Sequence, residues 1–169
     1  MQIRQSWKRV LKVVFLVLMS GSLVPATVAQ PGNVAVGKPV KASSEKATAV
    51  AAKMVDGIIS RHSRWEAATA QAPHWVELNL QQYYRITEIR VHSGLLDEEK
   101  QTAEKNQAAG FWSVKNFRLQ YWDDANWTDL PNTEITENRE VSAVFGFSPP
   151  FTTYKLRLVC DDGEPINIM

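Results

Sequence analysis

Apolar residues in this chain recur mainly at every second position. Val76, Leu78 and Leu80 share one face of the run His74–Leu80, with Trp75, Glu77 and Asn79 on the other. Ile89 and Val91 alternate with Glu88, Arg90 and His92, and Phe117, Leu119 and Tyr121 alternate with Arg118, Gln120 and Trp122. Val141, Ala143, Phe145 and Phe147 form a fourth stripe, and Tyr154, Leu156, Leu158 and Cys160 a fifth. A period of two predicts half-buried strands, and such runs punctuated by Gly, Pro, Asn and Asp predict an antiparallel all-β sandwich or barrel. The one helical candidate is the short, Ala-rich stretch from Lys46 to Met54, stopped by Val55-Asp56-Gly57. Asp123-Asp124-Ala125-Asn126, between Trp122 and Trp127, predicts a tight hairpin. The stretch from Gly94 to Gly110 is polar and too long for a routine connection, which predicts a binding loop or an insertion.

The first 29 residues follow a different pattern. They hold four cations (Arg4, Lys8, Arg9, Lys12) and no acid, then an apolar run from Val13 to Val24, then Pro25 and the small-residue stretch Ala26-Thr27-Val28-Ala29. A basic start, a short apolar middle and small residues before the cut predict a secretory signal peptide cleaved near Ala29. The apolar run is too short for a membrane span, which needs about 20 residues. The chain thus divides into a signal peptide, 1–29, and one domain, 30–169, secreted, periplasmic or on the cell surface. The last run, Pro165 to Met169, stops early enough that the final strand is expected to be truncated.

Charge changes meaning once that leader is set aside. The full chain has 19 Lys+Arg, 18 Asp+Glu and a net charge of +1; without the four leader cations it has 15 against 18, or −3. No basic excess remains to support nucleic-acid binding, and anionic membranes are disfavoured. A single cysteine, Cys160, excludes an intrachain disulfide framework and any multi-cysteine metal site. Catalytic signatures are missing too: no GxSxG, HExxH, phosphate loop or dinucleotide-type glycine cluster is present. Ser43-Ser44-Glu45-Lys46 matches SxxK but has none of its companion motifs. The acids Asp97-Glu98-Glu99 and Asp161-Asp162 are adjacent in sequence, whereas glycosidic catalysis needs two acids fixed about 5–10 Å apart. They read as solvated charge, and the chain is not expected to be an enzyme by itself.

The order of short signposts carries a resemblance. They are Asn33 to Val40, Ala42-Ser43-Ser44, Met54-Val55-Asp56-Gly57, Ser63-Arg64-Trp65, Trp75 to Leu80, Ile86 to Val91, Phe117 to Trp122, Trp127 to Leu130 and Tyr154 to Leu158. Together they resemble the coagulation factor five/eight type C (discoidin) domain, in its bacterial carbohydrate-binding form within the galactose-binding-like superfamily. The resemblance covers residues 33–168. It implies a jelly-roll β-sandwich of about eight strands and an exported, non-catalytic module for a polysaccharide or other glycan, as an appendage or fragment of a polysaccharide-active protein. The animal relatives offer an alternative: cell-surface adhesion through protein or lipid.

Site expectations follow from the same resemblance. Ligands bind at the loop end of the sandwich, where an aromatic ring meets the C–H face of a sugar and polar side chains meet its hydroxyls. The candidates are Glu45, His62, Glu66, His92, Phe111 and Trp112, with Phe111-Trp112 either an aromatic platform or packed beneath the long loop. In many relatives the turn after the short helix wraps a structural Ca²⁺. Carried onto this chain, Asp56 and Ser63 supply side-chain oxygens and Lys53 a backbone carbonyl; the alternative is an Asp56 that only caps the turn. Ile58 stands where a second acidic ligand is common, and a late glutamate would fall beyond Met169. The His that follows the Trp in galactose binders is replaced here by Glu66, so a galactose preference is not implied. Trp65 and Trp75 are expected to pack in the core and at its rim, and His74 to cap or pack.

Overall fold

The computed structural model describes residues 32–60, 62–93, 114–162 and 167–168. The chain divides at Gly32–Asn33, and the unit that starts at Asn33 holds the β structure. Its elements in chain order are β1 (Val40–Ala42), a 3-10 helix (Ala51–Val55), β2 (Trp65–Glu66), β3 (His74–His92), β4 (Phe117–Trp122), β5 (Trp127–Asp129), β6 (Ser142–Cys160) and β7 (Asn167–Ile168). Five strands form one antiparallel sheet in the order β1-β3-β6-β4-β5, and β2 pairs with β7.

The two 19-residue strands, β3 and β6, explain the architecture. Straight, each would run roughly 60 Å, too long for a domain of this size, so both must bend. Their ladder breaks twice, between Asn79 and Tyr84 and between Ile86 and Glu88. At the first break the extra residues lie on β3. Gln81 there has φ 68°, and its N–H donates to the Asn79 side chain at 2.8 Å. At the second they lie on β6, where Pro149 and Pro150 have no N–H to give the ladder.

The bend gives each strand two halves with different neighbours. His74–Asn79 and Lys155–Cys160 form the middle of the five-stranded sheet, flanked by β1 and β4. Tyr84–His92 pairs with Ser142–Thr153 and folds back as the opposing layer, which Ser93 joins to β7 through a bridge to Ile168. One core cluster lies between them: Val76, Phe117, Leu119, Leu158 and Cys160 from the first layer meet Val91, Phe145, Trp65 and Ile168 from the second. The Phe117 and Phe145 rings meet edge-on at 6.2 Å. This is the expected β-sandwich. Seven strands are named among the described residues, and the runs His74–Leu80 and Ile89–Val91, read separately in the sequence, are halves of one continuous strand.

Each of the five predicted stripes puts a residue into the core: Val76, Val91, Phe117, Phe145 and Leu158. Cys160 is fully buried, and burial pushes its thiol up, so it is a packed residue without nucleophilic character at neutral pH. The hairpin at Asp123–Asn126 forms as expected. The Asp123 carboxylate accepts from the N–H groups of Ala125 (3.0 Å) and Asn126 (2.7 Å) and from the Thr128 hydroxyl (2.9 Å), and these bonds hold its pKa low.

One prediction needs correcting. Instead of a helix from Lys46 to Met54, only Ala51–Val55 winds, as a 3-10 turn. The reason lies in distant pairing. The Lys46 N–H donates to the Glu66 carbonyl and the Glu66 N–H to the Ala49 carbonyl, both at 2.9 Å, so 46–49 docks on β2 instead of starting a helix.

Candidate functional site

The predicted site residues that fall within the described structure lie on the segment from Glu45 to Glu66 and at the end of β3, and most are engaged with neighbours outside the predicted set. The Glu66 carboxylate is the centre of the group, pairing with the Lys46 ammonium through one oxygen and with Arg64 at 3.2 Å through the other. Burial pushes the Glu66 carboxyl up, but Lys46 and Arg64 outweigh it and hold the group below its ordinary value. Glu45 accepts from the Ala51 N–H at 2.9 Å and so caps the 3-10 turn. Both carboxylates therefore have structural duties, and the Glu66 side chain keeps 13% of its surface exposed.

His92 reaches the same face from β3. Ser93, Ile168 and Trp65 are aligned in one row across three strands, and all three are buried. Alternation then points His92 and Arg64 outward, on the same side of that row and two strand spacings, roughly 10 Å, apart. His62 is exposed, and its backbone carbonyl accepts from the Lys53 ammonium at 3.2 Å. Phe111 and Trp112 lie outside the described residues, as do the stretch Gly94 to Gly110 and the leader, residues 1–29. Val114 is buried in the core.

Of the residues expected around calcium, Lys53 lies in the 3-10 helix, and Asp56 and Ser63 lie at the start and end of the segment that follows it. Asp56 accepts from the Ile58 N–H at 2.7 Å through one oxygen and from the Ser63 hydroxyl through the other. Lys53 joins them through its side chain, donating to the carbonyls of Thr48 (3.0 Å) and His62 (3.2 Å). No group of three or more His, Cys, Asp or Glu able to hold a metal occurs among the described residues.

Two features escaped the sequence reading. Asp162, taken as solvated charge, accepts from the N–H groups of Lys115 (2.7 Å) and Asn116 (3.0 Å) and from the Asn116 amide (2.6 Å); Asp161 pairs with Arg118. The second is a ladder of cations and rings on the outer face of the five-stranded sheet. The Arg157 guanidinium lies 3.9 Å from the Trp127 ring centre and 5.1 Å from that of Trp75, and Lys155 lies 5.3 Å from Trp122. Glu77 sits within 3.3 Å of Arg157 and 3.7 Å of Lys155. Trp75, Glu77, Lys155 and Arg157 are all outward in the alternation, so their shared face was legible. Their contacts depend on the β3–β6 register.

The two half-buried or buried histidines make the domain sensitive to acid. His74 is 1% exposed, and its Nε2 has no hydrogen-bond partner among the described residues. Burial lowers its pKa, opposed by Asp162; burial also lowers that of His92, aided by Arg90. An unfolded chain protonates both near 6.5, whereas the folded domain does so at lower pH. Between those values the unfolded state binds more protons, so stability rises with pH. The urea midpoint is expected to fall as pH drops below about 6.5, and His74→Asn should flatten that dependence. A midpoint unchanged between pH 7.5 and 5.5 would contradict this assignment.

Comparison with known proteins follows the same lines. A model of the F5/8 type C domain family matches residues 39–168. A sequence comparison with curated proteins finds no match. Among solved structures, chitosan-binding module 1 of a chitosanase/glucanase from Paenibacillus sp. IK-5 is similar with a TM-score of 0.60 and 20% identity, over 81% of this chain and 92% of that one. A Streptococcus pneumoniae fucose binding module matches with a TM-score of 0.60 and 16% identity, over 80% and 89%. The lectin domain of Lectinolysin, complexed with Lewis B antigen, matches with a TM-score of 0.62 and 14% identity, over 82% and 93%. At these identities the likeness is one of fold.

Proposed function

Because the chain belongs to the F5/8 type C domain family, we propose that it is an exported carbohydrate-binding module without catalytic activity of its own, freed of its leader near Ala29. The observation that carries the reading is the fold match, over 80–82% of the chain, to a chitosan-binding module, a fucose binding module and a lectin domain complexed with Lewis B antigen. The polar end built from Lys46, Arg64, Glu66 and His92 supports it. Charged side chains already fixed by their neighbours lose little freedom when a sugar hydroxyl arrives, which suits a small polar ligand. Trp112, or Phe111 beside it, would supply the apolar face.

Glycan arrays followed by calorimetry test this. Binding is expected between millimolar and micromolar, about −4 to −8 kcal/mol. Trp112→Ala should weaken it about tenfold or more, and Glu66→Gln several-fold, since the latter unbalances Lys46 and Arg64. Absence of binding to every plant, algal and host polysaccharide tested would sink the proposal.

One observation favours a second reading, adhesion to lipid or protein. Ile58 and Ile59 are 58% and 51% exposed, and Val36, 47% exposed, lies against Gly57 beside them. Flotation with phosphatidylserine vesicles separates the two: co-flotation that is lost in Ile58→Ser would support adhesion over glycan binding.

A further inference from the structure

The turn where the resemblance implies calcium has a donor set that does not suit a divalent cation. Ca²⁺ takes six to eight oxygens, and its affinity follows the number of carboxylates around it. From Lys53 to Arg64 this chain has one carboxylate, Asp56, against Lys53, Arg61 and Arg64. Arg64 is paired with Glu66, and by sequence alone the segment carries more cations than acids. Each Asp56 oxygen already accepts a hydrogen bond from within the turn, one from Ile58 and one from Ser63.

The carbonyl oxygens nearby point to what replaces the metal. Those of Thr48 and His62 converge on one group, the Lys53 ammonium, at 3.0 and 3.2 Å. Carbonyl dipoles converging on a point attract positive charge, and an ammonium with three donors on a flexible stem meets that demand as a compact cation. Lys53 belongs to the 3-10 helix, Thr48 to the turn docked on β2, and His62 to the far end of the segment closed by Asp56 and Ser63. One side chain thus ties three stretches of backbone that a metal would otherwise draw together. A divalent ion placed here would also face the Lys53 charge at close range.

We infer that Lys53 is the built-in cation of this turn, and that the domain folds and keeps its loop end in shape without calcium. The inference is independent of which glycan, if any, the protein binds, because its readout is thermal and spectroscopic.

The test is to melt the protein in excess EDTA and in millimolar CaCl2, alongside Lys53→Met, which keeps the stem and removes the charge, and Lys53→Arg, which keeps the charge. The wild-type midpoint is expected to be the same in both buffers. A genuine site at a hundred times its dissociation constant would raise it by roughly 5–15 °C, and a rise of that size would overturn the inference. So would saturable terbium luminescence at micromolar metal. Lys53→Met should melt about 2–4 °C lower, with Lys53→Arg near wild type. A Lys53→Met protein that fails to fold while Lys53→Arg folds would also support the inference. Equal midpoints for all three proteins would refute it.

Discussion

Trp65→Ala is expected to lower the stability of the domain by about 3–5 kcal/mol, against a total of only about 5–15 kcal/mol for ordinary domains. The side chain is fully buried and belongs to the one core cluster that joins the two layers. Truncation removes the ring from that junction and leaves a cavity which Val91, Cys160 and Ile168, fixed in strands, cannot close. It also frees the Ser44 carbonyl, which accepts from the indole N–H at 2.9 Å. Trp65→Phe separates the two losses: it should retain most of the burial and cost about 1–2 kcal/mol, chiefly the hydrogen bond. Urea titrations of the three proteins measure both values. A shift for Trp65→Ala below about 1 kcal/mol would mean that the core does not depend on this ring.

Asp162→Ala is expected to cost about 2–3 kcal/mol, a large effect for an aspartate beyond the end of a strand. The carboxylate holds the backbone N–H groups of Lys115 and Asn116 and the Asn116 side chain together. Without it, two N–H donors lose a charged partner just where the chain enters β4. Asn116 also accepts, through its side-chain oxygen, from the Glu137 N–H at 3.1 Å, so the disturbance extends to the segment before β6. Asp162→Asn should recover part of the loss, since an amide oxygen still accepts but carries no charge. A variant within about 0.5 kcal/mol of wild type would return Asp162 to the status of a solvated acid.

These two residues mark how far the sequence could be read. Trp65 was legible as a packed residue because large apolar side chains in a β pattern are usually buried. The strand stripes were legible for the same reason: alternation is a local property, and each stripe contributes to the core. Asp162 was not legible, since its partners lie 46 and 47 positions away and nothing in the local pattern reveals them. The helix expected from Lys46 failed in the same way, with its backbone groups drawn to Glu66. Val159 is a subtler case. It occupies an outward position of β6 yet is 6% exposed, because its ladder neighbours Trp75 and Arg118 flank it on both sides.

The candidate site divides along the same line. Residue types and motif order selected Glu45, His62, Glu66 and His92, and the structure shows what holds the first three. That Glu45 caps a turn and Glu66 bridges two cations depends on side-chain directions set by tertiary pairing. Likewise, the hydrogen bond between Ser63 and Asp56, both expected as calcium ligands, was not legible in the local pattern.

The doubly bent ribbon of β3 and β6 has a consequence for how such a module can change. Both layers are made from the same two strands, so neither can be lost, swapped or rebuilt while the other persists. Substitutions within the ribbon are felt across the whole sandwich. Exposed positions outside it, such as Ile58, Ile59 and His62, carry no such obligation. Variation in what the molecule recognises can therefore accumulate there, while the frame that presents it is inherited as one indivisible piece.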